Sequence, residues 1–217
     1  MRAQPAPRAG LGEAEAREPV DAAALPWSAL VRVQSEASGQ CTGVLVAPDR
    51  VLTAAHCLVA PRTGAWLRPE RVNLLAGYDR GTFRGHAVAV SYVTGGYDPA
   101  AGGPRGADWA VLRLAAPLPA PVLPVAAAVP GMAAMLGGWQ RDRAHALLAD
   151  TDCRVTDAGR DAAGPLLVHD CAATRGSSGG PLLVRAAGAW AVAGVQSAAR
   201  REGRGGVAVP AAGLPLD

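Results

Sequence analysis

Short apolar runs, each closed by glycine or proline, recur from Pro26 to Val209, and this punctuation constrains the fold more than any other feature. The 27 glycines and 18 prolines are spread along the chain rather than gathered in one tract. Such spacing leaves room for strands of ordinary length but interrupts helices, so the chain reads as all-β. At 217 residues it suits two small barrels or one large all-β unit. Strands are expected over residues 29–33, 39–46, 51–54, 71–76, 87–93 and 109–114. A second set is expected over 133–139, 144–149, 153–155, 166–168, 181–185, 190–197 and 207–209. Between the sets, APLPAPVLPVAAAVP (residues 116–130) is an extended connector crossing between two halves. The organisation is therefore an N-terminal extension over 1–25, a first half over 26–120 and a second over 121–217. Residues 1–20 lack apolar periodicity and are expected to be a disordered or loosely packed lead-in.

The net charge of +3 comes without a dense basic run, which argues against a nucleic-acid or membrane surface. Arg200, Arg201 and Arg204 read as a solvated loop. No stretch is long enough to span a bilayer. The first twenty residues contain no apolar core of a secretory signal as written. The four cysteines, Cys41, Cys57, Cys153 and Cys171, contain no C-x-x-C, which weakens a zinc or thioredoxin reading. Two disulfides, one in each half, fit better and imply an oxidising compartment. Three connectivities remain open. His169 and Asp170 beside Cys171 do not make a metal site, and no metal is expected.

Three stretches carry chemistry. In TRGSSGGPL, Ser178 stands in a glycine-rich turn that could leave its hydroxyl exposed with loop N–H groups beside it. Alone, this is an ordinary Gly/Ser turn, because a serine needs a base and the base needs an orienting group. In TAAHC, His56 follows a strand directly and adjoins Cys57. In DWAVLRL, Asp108 heads a strand with Ala110, Leu112 and Leu114 on one face, where an unpaired acid would be costly to bury. Asp98, in the middle of a loop, is the rival carboxylate and looks exposed. His86, His145 and His169 lack a comparable setting.

Together TAAHC, DWAVLRL and GSSGGP, in that order, resemble the chymotrypsin/trypsin-like serine proteases, and the compact secreted bacterial members most of all. The resemblance runs from Pro26 to Val209. It implies two six-stranded antiparallel β-barrels with the active site in the cleft between them, the first carrying His56 and Asp108 and the second Ser178. It further implies a secreted or periplasmic, monomeric endopeptidase acting on polypeptides without a cofactor. Ser178 would be the nucleophile, His56 the base and Asp108 its orienting partner, with the Gly176 and Ser178 N–H groups as oxyanion hole. Activity should rise through about pH 6–7 as the imidazole loses its proton.

The departures are informative. Ser177 replaces the aspartate that in trypsin-like zymogens pairs with a newly cut N-terminus, and no IVGG-type segment is visible, so activation by that salt bridge is not expected. The substrate-binding candidates are Ala172, Gln196 and Ser197. Ala172, at the pocket floor, offers no anion for Arg or Lys. Ser197 matches the family's serine beside the catalytic aspartate. Gln196 stands where glutamate-specific relatives often carry histidine, so acidic specificity is not supported. A catalytically silent binding relative is the alternative, although it has no physical need to keep all three polar residues. An esterase would need a helix after G-x-S-x-G that the surrounding prolines and strands do not provide.

Overall fold

The computed structural model describes residues 9–12, 15–35 and 39–216. Among these residues there are thirteen strands: β1 (Glu18–Pro19), β2 (Leu30–Ser35), β3 (Gly39–Ala47), β4 (Arg50–Thr53), β5 (Asn73–Ala76), β6 (Gly85–Thr94), β7 (Ala110–Leu114), β8 (Ala133–Trp139), β9 (Leu147–Asp161), β10 (Gly164–His169), β11 (Pro181–Ala186), β12 (Ala189–Ala199) and β13 (Gly206–Pro210). Helical structure among the described residues is confined to short 3₁₀ turns.

Two antiparallel barrels result. The first closes in the order β2-β3-β4-β7-β6-β5. The second runs β9-β10-β13-β12-β11-β8 and closes through β8–β9 pairing, with β1 added along β9. Alternation fills each interior: Ala110, Leu112 and Leu114 of β7 point into the first barrel, while Arg113 is exposed. Leu136, Val155, Leu182 and Val184 fill the second. Residues on the opposite strand faces, among them Leu30, Val44, Val111, Trp139, Leu183 and Val195, make a third core where the barrels meet. That interface sets the site, because it fixes the ends of β3, β4, β8 and β12 relative to one another.

Two expectations need correction. Residues 144–149 and 153–155 do not belong to separate strands; Leu147–Asp161 is continuous. The polar run Asp150–Asp152 reads as a break, but the buried Asp150 carboxylate accepts N–H bonds from Asp152 and Ala172, and the β8–β9 register shifts there. The lead-in is also more ordered than composition implies. Glu18–Pro19 pairs with Leu148–Ala149, and Arg17 is 3% exposed. The remainder of that expectation, residues 1–8 and 13–14, lies outside the described residues.

Candidate active site

His56 sits on a 3₁₀ turn (Ala55–Leu58) that leaves β4 directly. A disulfide from Cys57 to Cys41 on β3 anchors this turn. The second bridge joins Cys153 to Cys171, so each half holds one. The two groupings of metal-ligand type, Cys41/His56/Cys57 and Cys153/Asp170/Cys171, therefore offer no thiolate.

Asp108 caps the short turn before β7 and is fully buried. Its Oδ1 accepts the His56 backbone N–H at 2.9 Å, and the ring Nδ1 lies 3.0 Å from Oδ1 and 2.8 Å from Oδ2. The Ser197 hydroxyl donates to Oδ2 at 2.5 Å. Ser197 reaches it because the β12–β13 register shifts between Gln196 and Ala198, a bulge that re-aims the side chain across the interface. Burial pushes the Asp108 pKa up, but the bonds from His56 and Ser197 outweigh it and hold the carboxyl below its ordinary value. A carboxylate here accepts from Nδ1–H, which leaves Nε2 bare. Asp98, by contrast, is exposed and serves its own loop by accepting from Ala100 N–H.

His56 and Ser178 line one cleft of about 230 Å³ together with Gln40, Cys41, Arg141, Arg175 and Gly176. Among the described residues no hydrogen bond joins the Ser178 hydroxyl to the imidazole; such contacts commonly tighten only when substrate binds. The serine loop is pinned from both barrels. Thr42 on β3 donates its N–H to the Ser178 carbonyl (2.8 Å) and its hydroxyl to the Gly176 carbonyl (3.0 Å). From β12, Gly179 N–H donates to the Gln196 carbonyl at 2.8 Å. Two glycines are sterically required: a Cβ on Gly176 (φ 102°) would lie 2.3 Å from the Trp139 carbonyl oxygen. On Gly179 (φ 77°) it would lie 2.1 Å from Thr53 Oγ1.

The N–H groups of Gly176 and Ser178 have no partner among the described residues, yet their directions are fixed. In a trans peptide the C=O and N–H point oppositely. The Arg175 carbonyl accepts from Arg141 N–H at 2.8 Å, and the Ser177 carbonyl from Gly180 N–H at 2.8 Å. Ser177 itself is buried and donates its hydroxyl to the Thr174 carbonyl at 2.7 Å, so the loop closes on itself where the zymogen aspartate would stand.

Ala172, Gln196 and Ser197 are buried behind this loop rather than lining the open cleft. Ala172 N–H donates to Asp150 Oδ2 at 2.6 Å, and Arg204 pairs with the same oxygen at 2.6 Å. Arg204 therefore leaves the solvated loop in which sequence placed it; Arg200 and Arg201 stay exposed. The Gln196 side-chain oxygen accepts from His169 Nε2 at 2.6 Å, and burial lowers the His169 pKa to about 4. Sequence reasoning missed Thr42, Gln140, Asp150 and Arg17. Only Asp150, an acid directly after the apolar Leu147–Ala149, carried a local signal.

No curated protein sequence matches this chain. Among solved structures it is similar to a Glu endopeptidase in complex with MPD, with TM-score 0.72 and 18% identity over 91% of each chain. It is also similar to the VesB protease of Vibrio cholerae, with TM-score 0.65 and 18% identity, covering 89% of this chain and 63% of that one. The family model described as Trypsin matches residues 16–214, nearly the whole described chain. With two closed six-stranded barrels and that match, the chain belongs to the trypsin family of serine proteases.

Proposed function

We propose that this endopeptidase cleaves peptide bonds with Ser178 as nucleophile, His56 as general base and acid, and Asp108 as the group that orients the imidazole. The observation that carries this reading is the buried Asp108 carboxylate bonded to both the ring and the backbone of His56, beside a cleft that also holds Ser178. Asp108 fixes the tautomer with Nε2 free and stabilises the imidazolium that forms. Nε2 takes the proton as Ser178 Oγ attacks the scissile carbonyl, then delivers it to the leaving amine. A water repeats the sequence to release the acyl group. The Gly176 and Ser178 N–H groups receive the oxyanion, and each such donor lowers the barrier by roughly 3 kcal/mol. Because the peptides carrying them are already pinned by Arg141 and Gly180, little reorganisation is needed as charge develops.

Ala172, Gln196 and Ser197 remain the candidates for the substrate side-chain pocket. They bring no free anion, since Asp150 is held by Arg204 and Gln196 by His169, and this argues against a preference for Arg or Lys before the scissile bond. The two disulfides fit an oxidising compartment, which supports an extracellular or periplasmic enzyme. Cleavage of a diverse peptide library by the purified chain tests both parts. Cleavage without preference for Arg or Lys, abolished by Ser178→Ala, is expected. Cleavage that survives Ser178→Ala would refute the mechanism, and cleavage restricted to Arg or Lys would refute the pocket assignment.

A further inference from the structure

Arg17 is the most completely buried cation among the described residues, its side chain fully enclosed, and it comes from a segment whose composition promises no structure. Its guanidinium is saturated by three partners. Nε and one terminal nitrogen reach Glu15 at 2.8 Å each. Nη1 donates to Gln140 Oε1 at 2.7 Å, and both terminal nitrogens reach Asp142, at 3.1 and 2.8 Å. Arg143 closes the cluster by pairing with Glu15. Burial works against the charge, but the bonds to Glu15 and Asp142 outweigh it and raise the Arg17 pKa. A planar fork satisfying two carboxylates and an amide at once is a geometry that an ammonium cannot reproduce.

What Arg17 grips decides its role. Gln140 and Asp142 flank Arg141, whose N–H fixes the Arg175–Gly176 peptide and so aims the Gly176 N–H. The same Gln140 oxygen that accepts from Arg17 also accepts the Thr174 N–H at 2.8 Å, at the start of the serine loop. Upstream, the Gly10 carbonyl accepts from Ala173 N–H and from Gly205 N–H, each at 3.2 Å. A Cβ on Gly10 would lie 2.1 Å from the Ala173 carbonyl oxygen. The N-terminal segment thus meets three consecutive residues of the serine loop: Ala173 directly, Thr174 through Gln140, and Arg175 through Arg141.

From this juxtaposition we infer that Arg17, with Gly10 as a second anchor, is a positioning residue that braces the serine loop in cis and holds the Gly176 N–H toward the cleft. The inference rests on the reading of that N–H as an oxyanion donor. The brace needs no newly cut N-terminus, because the cation is a side chain, and it acts where Ser177 has replaced the acid that such a terminus would pair with.

The test compares full-length wild type with Arg17→Met, Arg17→Lys and Gly10→Ala well below their melting temperatures. It measures kcat and KM on one peptide taken from the library and the rate of labelling by a fluorophosphonate. A folded Arg17→Met should lose roughly 10- to 100-fold in kcat and in labelling rate, with KM changed far less, because the donor acts on charge that develops in the transition state. Arg17→Lys should fall between the two. A folded Arg17→Met with wild-type kcat overturns the brace while leaving the protease reading intact. If Arg17→Met does not fold, Gly10→Ala decides: a fall in kcat supports the brace, and an unchanged or higher kcat overturns it. A wild-type chain that neither labels nor cleaves overturns the protease reading itself, and the brace with it.

Discussion

Thr42→Val removes one hydroxyl from a site more than a hundred residues from the serine in sequence, and should damage both stability and rate. The hydroxyl donates to the Gly176 carbonyl at 3.0 Å and accepts the Trp139 N–H at 3.1 Å, with Thr42 itself wholly buried. Valine keeps the shape and the Thr42 N–H that holds the Ser178 carbonyl, so the loss isolates the hydroxyl. Two buried backbone groups then lack partners, at about 1–3 kcal/mol each, for a total of about 4 kcal/mol. For a chain of this size that is a fall of roughly 10 °C in melting temperature. Releasing the Gly176 carbonyl also loosens the residue whose N–H faces the cleft, so kcat should fall at least about tenfold. Thr42→Ser keeps the hydroxyl and gives up one methyl, about 1 kcal/mol. Urea unfolding followed by tryptophan fluorescence, with kcat measured on the same samples, separates the variants. A Thr42→Val midpoint equal to wild type, or a Thr42→Ser variant as damaged as Thr42→Val, would refute the reasoning.

Ser197→Ala withdraws a donor from the buried Asp108 carboxylate, so the Asp108 pKa should rise. A depressed carboxyl pKa contributes stability above its unfolded value that is lost as pH falls through the folded one. The variant should therefore lose that contribution at a higher pH than wild type in acid-unfolding curves. His169 titrates the other way in charge but with the same slope. Its folded pKa of about 4 lies below the ordinary value of about 6.5, so the unfolded chain binds the extra proton between them. Stability present above about pH 6.5 should decline by about 3 kcal/mol as pH falls to 4, and His169→Asn should lack that part of the decline. Replacing both Cys41 and Cys57 by alanine opens a bridge of sequence separation 16. This should cost about 3 kcal/mol in urea unfolding and lower kcat, because the His56 turn loses its anchor.

How far the sequence alone reaches depends on how local each signal is. His56, Asp108 and Ser178 were legible because each lies in a short run whose neighbours serve it: a strand end beside a cysteine, the head of an apolar strand, a glycine turn. The barrel strands were legible for the same reason, through period-two alternation closed by glycine or proline. Thr42 was not, since a threonine in GQCTGVLV is an ordinary β-branched strand residue until its partner at Gly176, 134 positions away, is known. Arg17 was hidden more deeply. Its partners Gln140 and Asp142 are 123 and 125 residues distant, and an arginine among alanines and glutamates looks solvated. The continuity of Leu147–Asp161 was hidden likewise, because beyond the nearby Asp152 N–H the buried Asp150 carboxylate is held by the distant Ala172 and Arg204.

The central claim is that Ser178 is an activated nucleophile, and the mass of its covalent adduct tests it most directly. The folded wild-type chain is treated with a fluorophosphonate, digested, and its modified residue located by mass spectrometry. A single adduct on Ser178, absent from His56→Ala and from the urea-unfolded chain, is the predicted result. An adduct on another residue, or equal modification of Ser178 in the folded and unfolded chains, would contradict the account.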